Sequence, residues 1–121
     1  MSLTSRSIQL KPNRRRDGIR ICIMRRPGEN VSFDIWMPIL SPSNVLLNNY
    51  HNGKYQWEKF KKIFINEVVN NQKKFLKFLV SISLKQKVTI LCWEEKPNFC
   101  HRRLIIEACQ KINPHLKTVL R

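Results

Sequence analysis

The sequence predicts a small single α/β domain with a mainly parallel sheet flanked by helices. Its 121 residues are close to the usual size of one domain, and a hydrophobic content of 42% is enough for one core. Short β-branched segments alternate with longer segments whose apolar residues recur every three to four positions. Strands and helices that alternate in this way favour parallel pairing, because each helix carries the chain back across the sheet.

Residues 1–17 are predicted to form a basic N-terminal arm or an edge strand, and residues 18–121 the α/β domain itself. The edge strand would occupy residues 8–11, and the proline that follows indicates a turn. A basic loop would then carry three consecutive arginines, Arg14, Arg15 and Arg16.

Residues 19–24 predict the first strand of the domain. The segment is β-branched and nearly apolar on both faces, as expected of an inner strand in a sheet that is covered on both sides. Residues 25–43 contain three prolines and are predicted to be mostly irregular. Ser43 is then predicted to cap a short helix over about residues 44–50.

Two longer amphipathic helices are predicted next, over about residues 56–69 and 72–84. Their aromatic and aliphatic side chains recur at helical spacing, so we expect them to pack in the core rather than to stack on nucleic-acid bases. Residues 88–93 give the clearest strand, and a helix over about residues 98–112 follows a short loop. Residues 116–120 are predicted to form the last strand.

The N-terminal residues and the cysteines indicate a cellular compartment. The chain begins with polar residues, and no apolar stretch approaches the roughly 20 residues that cross a bilayer. These features predict a soluble cytoplasmic protein with no membrane partner. In that compartment we expect the four cysteines to be free thiols, and we predict no cofactor.

The cysteine spacing does not predict a metal site. It lacks the paired C-x-x-C of a zinc ribbon, and Cys92 and Cys100 are eight positions apart with His101 as their only neighbouring ligand type. The least favoured hypothesis is a metal-stabilised domain in which these three residues share an ion with a distant ligand such as His51.

The chain is strongly basic, with 23 lysines and arginines against 8 acidic residues and a net charge of +15. Such a charge attracts polyanions and anionic small molecules, although a solvated cationic surface would have the same composition. Two kinds of partner are therefore predicted, an anionic small molecule or nucleic acid. The arginines expected to contact nucleic-acid phosphates are Arg14, Arg15, Arg16, Arg25 and Arg26.

Residues 92–103 contain the main candidate site. In open α/β sheets, ligands bind beyond the carboxyl ends of strands, where the next helix presents unpaired N–H groups. With Asn98 as the N-cap, Cys100 and His101 would lie in the first helical turn and lean toward Cys92. A thiol beside histidine and arginine in that position has a stabilised thiolate, as a reactive cysteine requires.

Six residues in this segment have candidate roles. The candidate catalytic residues are Cys100, His101 and Glu94. The candidate ligand-binding residues are Cys92, Arg102 and Arg103, whose guanidinium groups would hold a carboxylate or phosphate. The alternative is a structural role, in which the thiols and the imidazole pack in the core and Glu94 pairs with an arginine. Both an enzyme and a binding module fit these residues.

The same segment resembles the hallmark of the domain of unknown function 488 family. Residues 91–102 read LCWEEKPNFCHR, close to the family pattern L-C-x-E-x-x-P-x-x-C-H-R. Residues 20–26, 36–43 and 53–60 are similar to the family's first strand and basic turn, its L-x-P-S element and its G-x-x-x-W-x-x-F helix start. The resemblance spans about residues 18–110 and implies an α/β fold, without a reaction. The site residues that it implies are Cys92, Glu94, Cys100, His101 and Arg102.

Overall fold

Five parallel strands form the sheet in the computed structural model, which describes residues 1–121. Their order across the sheet is β3-β2-β4-β1-β5, and every neighbouring pair is parallel. The predicted fold class, a small α/β domain with a mainly parallel sheet, is confirmed. The strands are β1 (Ser2–Ser7), β2 (Ile19–Cys22), β3 (Ile35–Trp36), β4 (Lys87–Cys92) and β5 (Thr118–Leu120).

Five α-helices connect the strands. A 3-10 turn precedes the second helix, and a π-helical turn, Ile65–Val69, continues the third. None of the helices has the length and apolar character needed to span a membrane. The helices are α1 (Arg14–Asp17), α2 (Asn44–His51), α3 (Trp57–Phe64), α4 (Lys73–Lys85) and α5 (His101–Ile112).

One face of the sheet packs against α2, α3, α4 and α5 in the main hydrophobic core. Alternate strand residues enter this core, among them Ile21 of β2 and Val88 and Ile90 of β4, as the two-residue period of a strand requires. Phe64 of α3 and Ile105 of α5 are fully buried in the same cluster. This packing fixes α5 against β4 and so positions the segment that joins them.

The opposite face of the sheet carries a buried polar cluster around Asp17, the last residue of α1. Its carboxylate accepts hydrogen bonds from Arg20 Nη1 at 2.5 Å and from Arg16 Nε at 2.7 Å. Its carbonyl oxygen accepts a bond of 2.7 Å from Thr89 Oγ1. As predicted, β2 is an inner strand, but ion pairs replace apolar side chains over part of its second face.

The N-terminal segment differs from its prediction. β1 lies between β4 and β5 and pairs with both, so the predicted arm, or edge strand over residues 8–11, is wrong. The strand has no hydrophobic pattern that would predict it from the sequence, because most of its residues carry hydroxyl groups and Leu3 is its only residue in the apolar core. Ser5 Oγ donates to the main-chain oxygen of Arg121 at 3.3 Å and Ser7 Oγ to that of Trp93 at 3.1 Å. The arginine run that follows is helical and forms α1.

The connections between strands leave a crevice between β2 and β4. β2 leads to β3 on one side of this crevice, whereas β4 leads through α5 to β5 on the other side. Such a reversal separates the loops that follow the two strands, and ligands of open α/β sheets bind at this point. The residues after β2 and those between β4 and α5 meet there.

Candidate functional site

A cavity of about 270 Å³ occupies the crevice beyond the ends of β2 and β4. Residues of α2 and α3 complete its wall, which is largely apolar and aromatic. Trp93 and Phe99 stand at its mouth, where they remain 48% and 62% exposed. Concave sites with apolar walls and a few polar groups are typical of small-molecule binding. The apolar wall residues include Leu47, Tyr50 and Phe60.

Positive side chains exceed negative ones around the cavity. Arg25 and Arg26 follow β2 and line the cavity, and neither forms an ion pair within the chain. Arg25 Nε donates to the carbonyl oxygen of Pro42 at 2.7 Å, which holds this side chain in place. Glu94 is the one carboxylate in the cavity wall. The unpaired arginines favour an anionic occupant.

Cys92, Cys100 and His101 meet at the cavity and form the cysteine–histidine corner. Cys92 ends β4, Cys100 caps α5 with extended backbone, and His101 is the first residue of that helix. Nδ1 of His101 lies 3.5 Å from Cys92 Sγ and 4.0 Å from Cys100 Sγ, and the three groups lie within 4.8 Å of one another. All three residues are buried. Among the hypotheses from the sequence, only the least favoured one contained this set of possible metal ligands, because the spacing lacks a paired C-x-x-C.

The His101 ring has a fixed orientation. Its Nε2 lies 2.8 Å from the carbonyl oxygen of Ile23, and because a carbonyl only accepts, Nε2 carries the proton and donates. In the neutral ring, Nδ1 therefore carries the lone pair, and it lies nearer to the Cys92 thiol than Nε2 does, at 3.5 Å against 3.9 Å. Phe64 packs beside the ring with 5.6 Å between centroids.

The two thiols shift each other's pKa in opposite directions. The pKa of Cys100 is lowered, chiefly because its thiolate accepts a hydrogen bond from Cys92, and His101 and the N–H of Arg102 add to the effect against burial. The pKa of Cys92 is raised well above its usual value by that same bond and by burial. The sequence predicted the same direction from the helix end and from His101 and Arg102, whereas Cys92 contributes most in the structure. Burial alone raises the pKa of Cys109 to about 12.

Arg102 has a different role from the predicted one. Its guanidinium is fully buried and does not line the cavity. Nη1 donates to the carbonyl oxygen of Glu94 at 2.8 Å and Nη2 to that of Glu95 at 3.2 Å. Nε and Nη2 both donate to the main-chain oxygen of Arg121. The predicted ligand contact is therefore wrong, and Arg102 holds the loop after β4 against the end of β5.

Arg103 also lies outside the cavity. Its Nε forms an ion pair with Glu107 at 3.1 Å, and its Nη1 donates to the carbonyl oxygen of Asn98 at 3.0 Å. Glu94, by contrast, is exposed in the cavity wall and forms no ion pair. Of the carboxylate and guanidinium groups predicted in this segment, that of Glu94 alone lines the cavity.

The start of α5 also differs from the prediction. The N–H of Cys100 donates to the carbonyl oxygen of Pro97 at 3.1 Å, which closes a turn before the helix. The helix therefore begins at His101, and Cys100 rather than Asn98 is the cap. This shift places the Cys100 thiol beside Cys92 at the helix end.

The five arginines predicted to contact nucleic acid fall into two groups at opposite ends of β2. Those in α1 precede β2, and two of them form ion pairs with aspartates of the same chain. Arg14 forms a bidentate pair with Asp34 at 2.7 and 2.8 Å, and Arg16 pairs with Asp17. Arg15 is exposed. Arg25 and Arg26 follow the other end of the strand, at the cavity.

Sequence reasoning missed the contribution of α2 to the site. Asn44, Leu47, Tyr50 and His51 all line the cavity, yet α2 is far in sequence from the cysteine–histidine corner. His51 appeared only as a hypothetical distant metal ligand. Its place in the wall depends on how α2 packs against α3, which periodicity along one helix does not reveal.

We expect the cysteines to differ in their rate of alkylation in the native state. Cys92 and Cys100 border the cavity, whereas Cys22 and Cys109 are fully buried in the interior. In chelator-treated, reduced protein, iodoacetamide should therefore label Cys100 first and Cys109 last, as measured by peptide mass. Equal labelling of Cys100 and Cys109 would show that the cavity does not admit the reagent.

A comparison with protein families shows which family model the chain matches. A family model, DUF488-N3a, described as the active DUF488-N3 subclade, matches residues 3–113. The matched segment contains every residue of the cavity wall. No curated protein and no solved structure matches the chain significantly.

Proposed function

Since the chain belongs to the DUF488 family, within a subclade described as active, we propose that it binds a small anionic ligand in the cavity between β2 and β4. The observation that carries this proposal is the position of Arg25 and Arg26, which line the cavity without any carboxylate partner. The ligand would lie against the cysteine–histidine corner, which supplies the reactive groups.

The aromatic wall supports a ligand that also has an apolar part. Tyr50 packs on Phe60 with 4.6 Å between ring centroids, and Trp57 packs edge-on to Phe99 at 5.7 Å. These contacts hold the wall in one arrangement before a ligand arrives, which lowers the entropy cost of binding. An aromatic ring with an attached phosphate or carboxylate combines both requirements.

Glu94 is placed to exchange a proton with a ligand. It is the carboxylate in the cavity wall, and Arg102 fixes its backbone through the bond to its carbonyl oxygen. A side chain on an anchored loop keeps its position relative to the ligand, as general acid or base catalysis requires. This supports the predicted role of Glu94 and assigns Arg102 to positioning.

Phenyl phosphate is a suitable probe, with phenol as its neutral counterpart. We expect phenyl phosphate to bind and to change the tryptophan fluorescence, because Trp93 lies at the cavity mouth. The double substitution Arg25→Gln and Arg26→Gln should weaken binding by about tenfold or more, since a hydrogen bond to a charged group contributes about 1.5–3 kcal/mol. Titration calorimetry on both proteins gives the ratio.

Arg103→Gln is the matched control, because it removes an arginine that lies near the site but outside the cavity. Its affinity for phenyl phosphate should equal that of the unsubstituted protein. The proposal is wrong if phenol binds as tightly as phenyl phosphate, or if the double variant keeps full affinity.

A further inference from the structure

We infer that Cys92, Cys100 and His101 form a binding site for a zinc-class divalent cation, with a fourth coordination position that opens into the cavity. The three residues come from two elements, the end of β4 and the start of α5, and the sheet and core hold both in place. This inference does not depend on the anionic ligand proposed above. If both are correct, that ligand would lie next to the open coordination position of the metal ion.

The spacing of the three groups fits tetrahedral coordination. Bond lengths of about 2.3 Å for Zn–S and about 2.0–2.1 Å for Zn–N place sulfur and nitrogen ligands about 3.6 Å apart. Nδ1 of His101 lies 3.5 Å from Cys92 Sγ and 4.0 Å from Cys100 Sγ. The three ligand atoms lie within 4.8 Å of one another, and the Cys92 side chain, whose Sγ also lies 3.9 Å from Nε2 beside the ring, would turn toward Nδ1 to share one ion with the other two groups.

The hydrogen bond of His101 supports the same conclusion. A metal-binding histidine usually donates its other ring N–H to a carbonyl or a carboxylate, which fixes the tautomer and aims the free nitrogen at the metal. In this protein Nε2 donates to the carbonyl oxygen of Ile23 at 2.8 Å. Nδ1, which lies 3.5 and 4.0 Å from the two sulfur atoms, is therefore the nitrogen that is free to bind a metal. The bond thus prepares the ring to act as a ligand.

The ligand types select the class of metal. Two sulfur atoms and one imidazole suit zinc and similar borderline cations, whereas calcium and magnesium prefer oxygen ligands. Two thiolates also neutralise the charge of a divalent ion in this buried corner. Zinc binds them as thiolates, so any proton that they carry is released to solvent.

The number of ligands indicates an open site. The corner supplies three ligand residues, and neither His51 nor Glu94 belongs to the group that lies within 4.8 Å. Structural zinc sites have four protein ligands, whereas catalytic sites keep a position for water or substrate. Because all three residues line the cavity, the fourth coordination position of the ion would face the cavity and any molecule bound there.

Cobalt(II) is the probe for this site, because tetrahedral thiolate coordination gives it intense absorption bands. Full-length protein is reduced, stripped with a chelator and titrated with cobalt. We expect one equivalent to bind with sulfur-to-cobalt charge-transfer bands, and zinc to displace it. Cys92→Ser and Cys100→Ser should each lose these bands, whereas Cys109→Ser should keep them, because Cys109 lies in the core away from the corner.

X-ray absorption on the zinc-loaded, unsubstituted protein tests the ligand set independently of whether the variants fold. Two sulfur neighbours and one imidazole are expected. The inference is overturned if the reduced protein shows no charge-transfer bands, if the absorption data give four sulfur neighbours, or if a folded Cys100→Ser variant binds cobalt normally.

The open position and the proposed function can be tested separately. The variant with Arg25→Gln and Arg26→Gln should bind cobalt with unchanged stoichiometry, because neither arginine is a metal ligand. Azide, a small anion, should shift the visible bands of the cobalt protein by taking the fourth position. Bands that azide leaves unchanged would contradict an open position, and loss of phenyl phosphate binding alone would leave the metal site intact.

Discussion

Replacing Arg102 by alanine is expected to lower the free energy of unfolding by about 3 kcal/mol. The guanidinium is fully buried and donates to the main-chain oxygens of Glu94, Glu95 and Arg121. A hydrogen bond from a charged donor contributes about 1.5–3 kcal/mol, and water would replace part of this because the three acceptor residues are exposed. Urea denaturation followed by circular dichroism measures the difference.

Two further variants separate the causes of this effect. Arg103→Ala should change stability by less than about 1 kcal/mol, because Arg103 is partly exposed and forms a surface ion pair. Arg102→Lys should fall between the two, since one ammonium group keeps the charge but cannot reach all three oxygens. If Arg102→Ala is as stable as Arg103→Ala, the network of carbonyl contacts contributes little to the fold.

Asp17→Asn is expected to destabilise the protein by about 3–5 kcal/mol, the usual effect of removing one partner from a buried ion pair. The carboxylate is fully buried and accepts hydrogen bonds from Arg16 and Arg20, and Arg20 is itself 3% exposed. The neutral amide would leave these guanidinium groups without a counter-charge. Glu107→Gln, at an exposed pair, should have an effect of about 0.5 kcal/mol or less.

The effect of Asp17 should also depend on pH. Burial opposes its ionisation, but the hydrogen bonds from Arg16 and Arg20 outweigh burial and lower its pKa. A lowered pKa stabilises the fold above the unfolded value of about 3.9, and this contribution disappears as the pH falls through the folded value. The stability difference between the unsubstituted protein and Asp17→Asn should be constant above about pH 5 and shrink below about pH 4. A difference that stays constant on acidification would contradict this assignment.

The sequence predicted those elements whose hydrophobic pattern is local. Residues 88–93 were predicted as a strand, and β4 spans Lys87–Cys92. Ser43 caps α2 as predicted, since its Oγ accepts from the N–H of Leu46 at 3.1 Å. The third helix was predicted without its π-helical turn, because its buried residues Phe60, Phe64 and Val68 recur every four positions, a spacing that an ordinary α-helix also allows.

The site was predicted in part. The sequence pattern identified the cysteine–histidine corner, because a strand end followed by a helix start brings Cys92 and Cys100 together. It misassigned Arg102, since the carbonyl groups that bind this side chain come partly from the end of β5. The contribution of α2 to the cavity was missed for the same reason. Contacts between distant segments are set by packing and leave no periodic signal in one segment.

During synthesis, β1 leaves the ribosome long before the strands that flank it. Leu3 pairs with Val88 on one side and with Thr118 on the other, so both edges of this strand stay open until most of the chain has emerged. Open strand edges favour association with other chains, especially when the strand is apolar. The serines and Arg6 of β1 keep the nascent strand polar in that interval. We therefore expect the polar composition of β1, which conceals the strand in the sequence, to disfavour association of the growing chain with other chains until β4 and β5 have emerged.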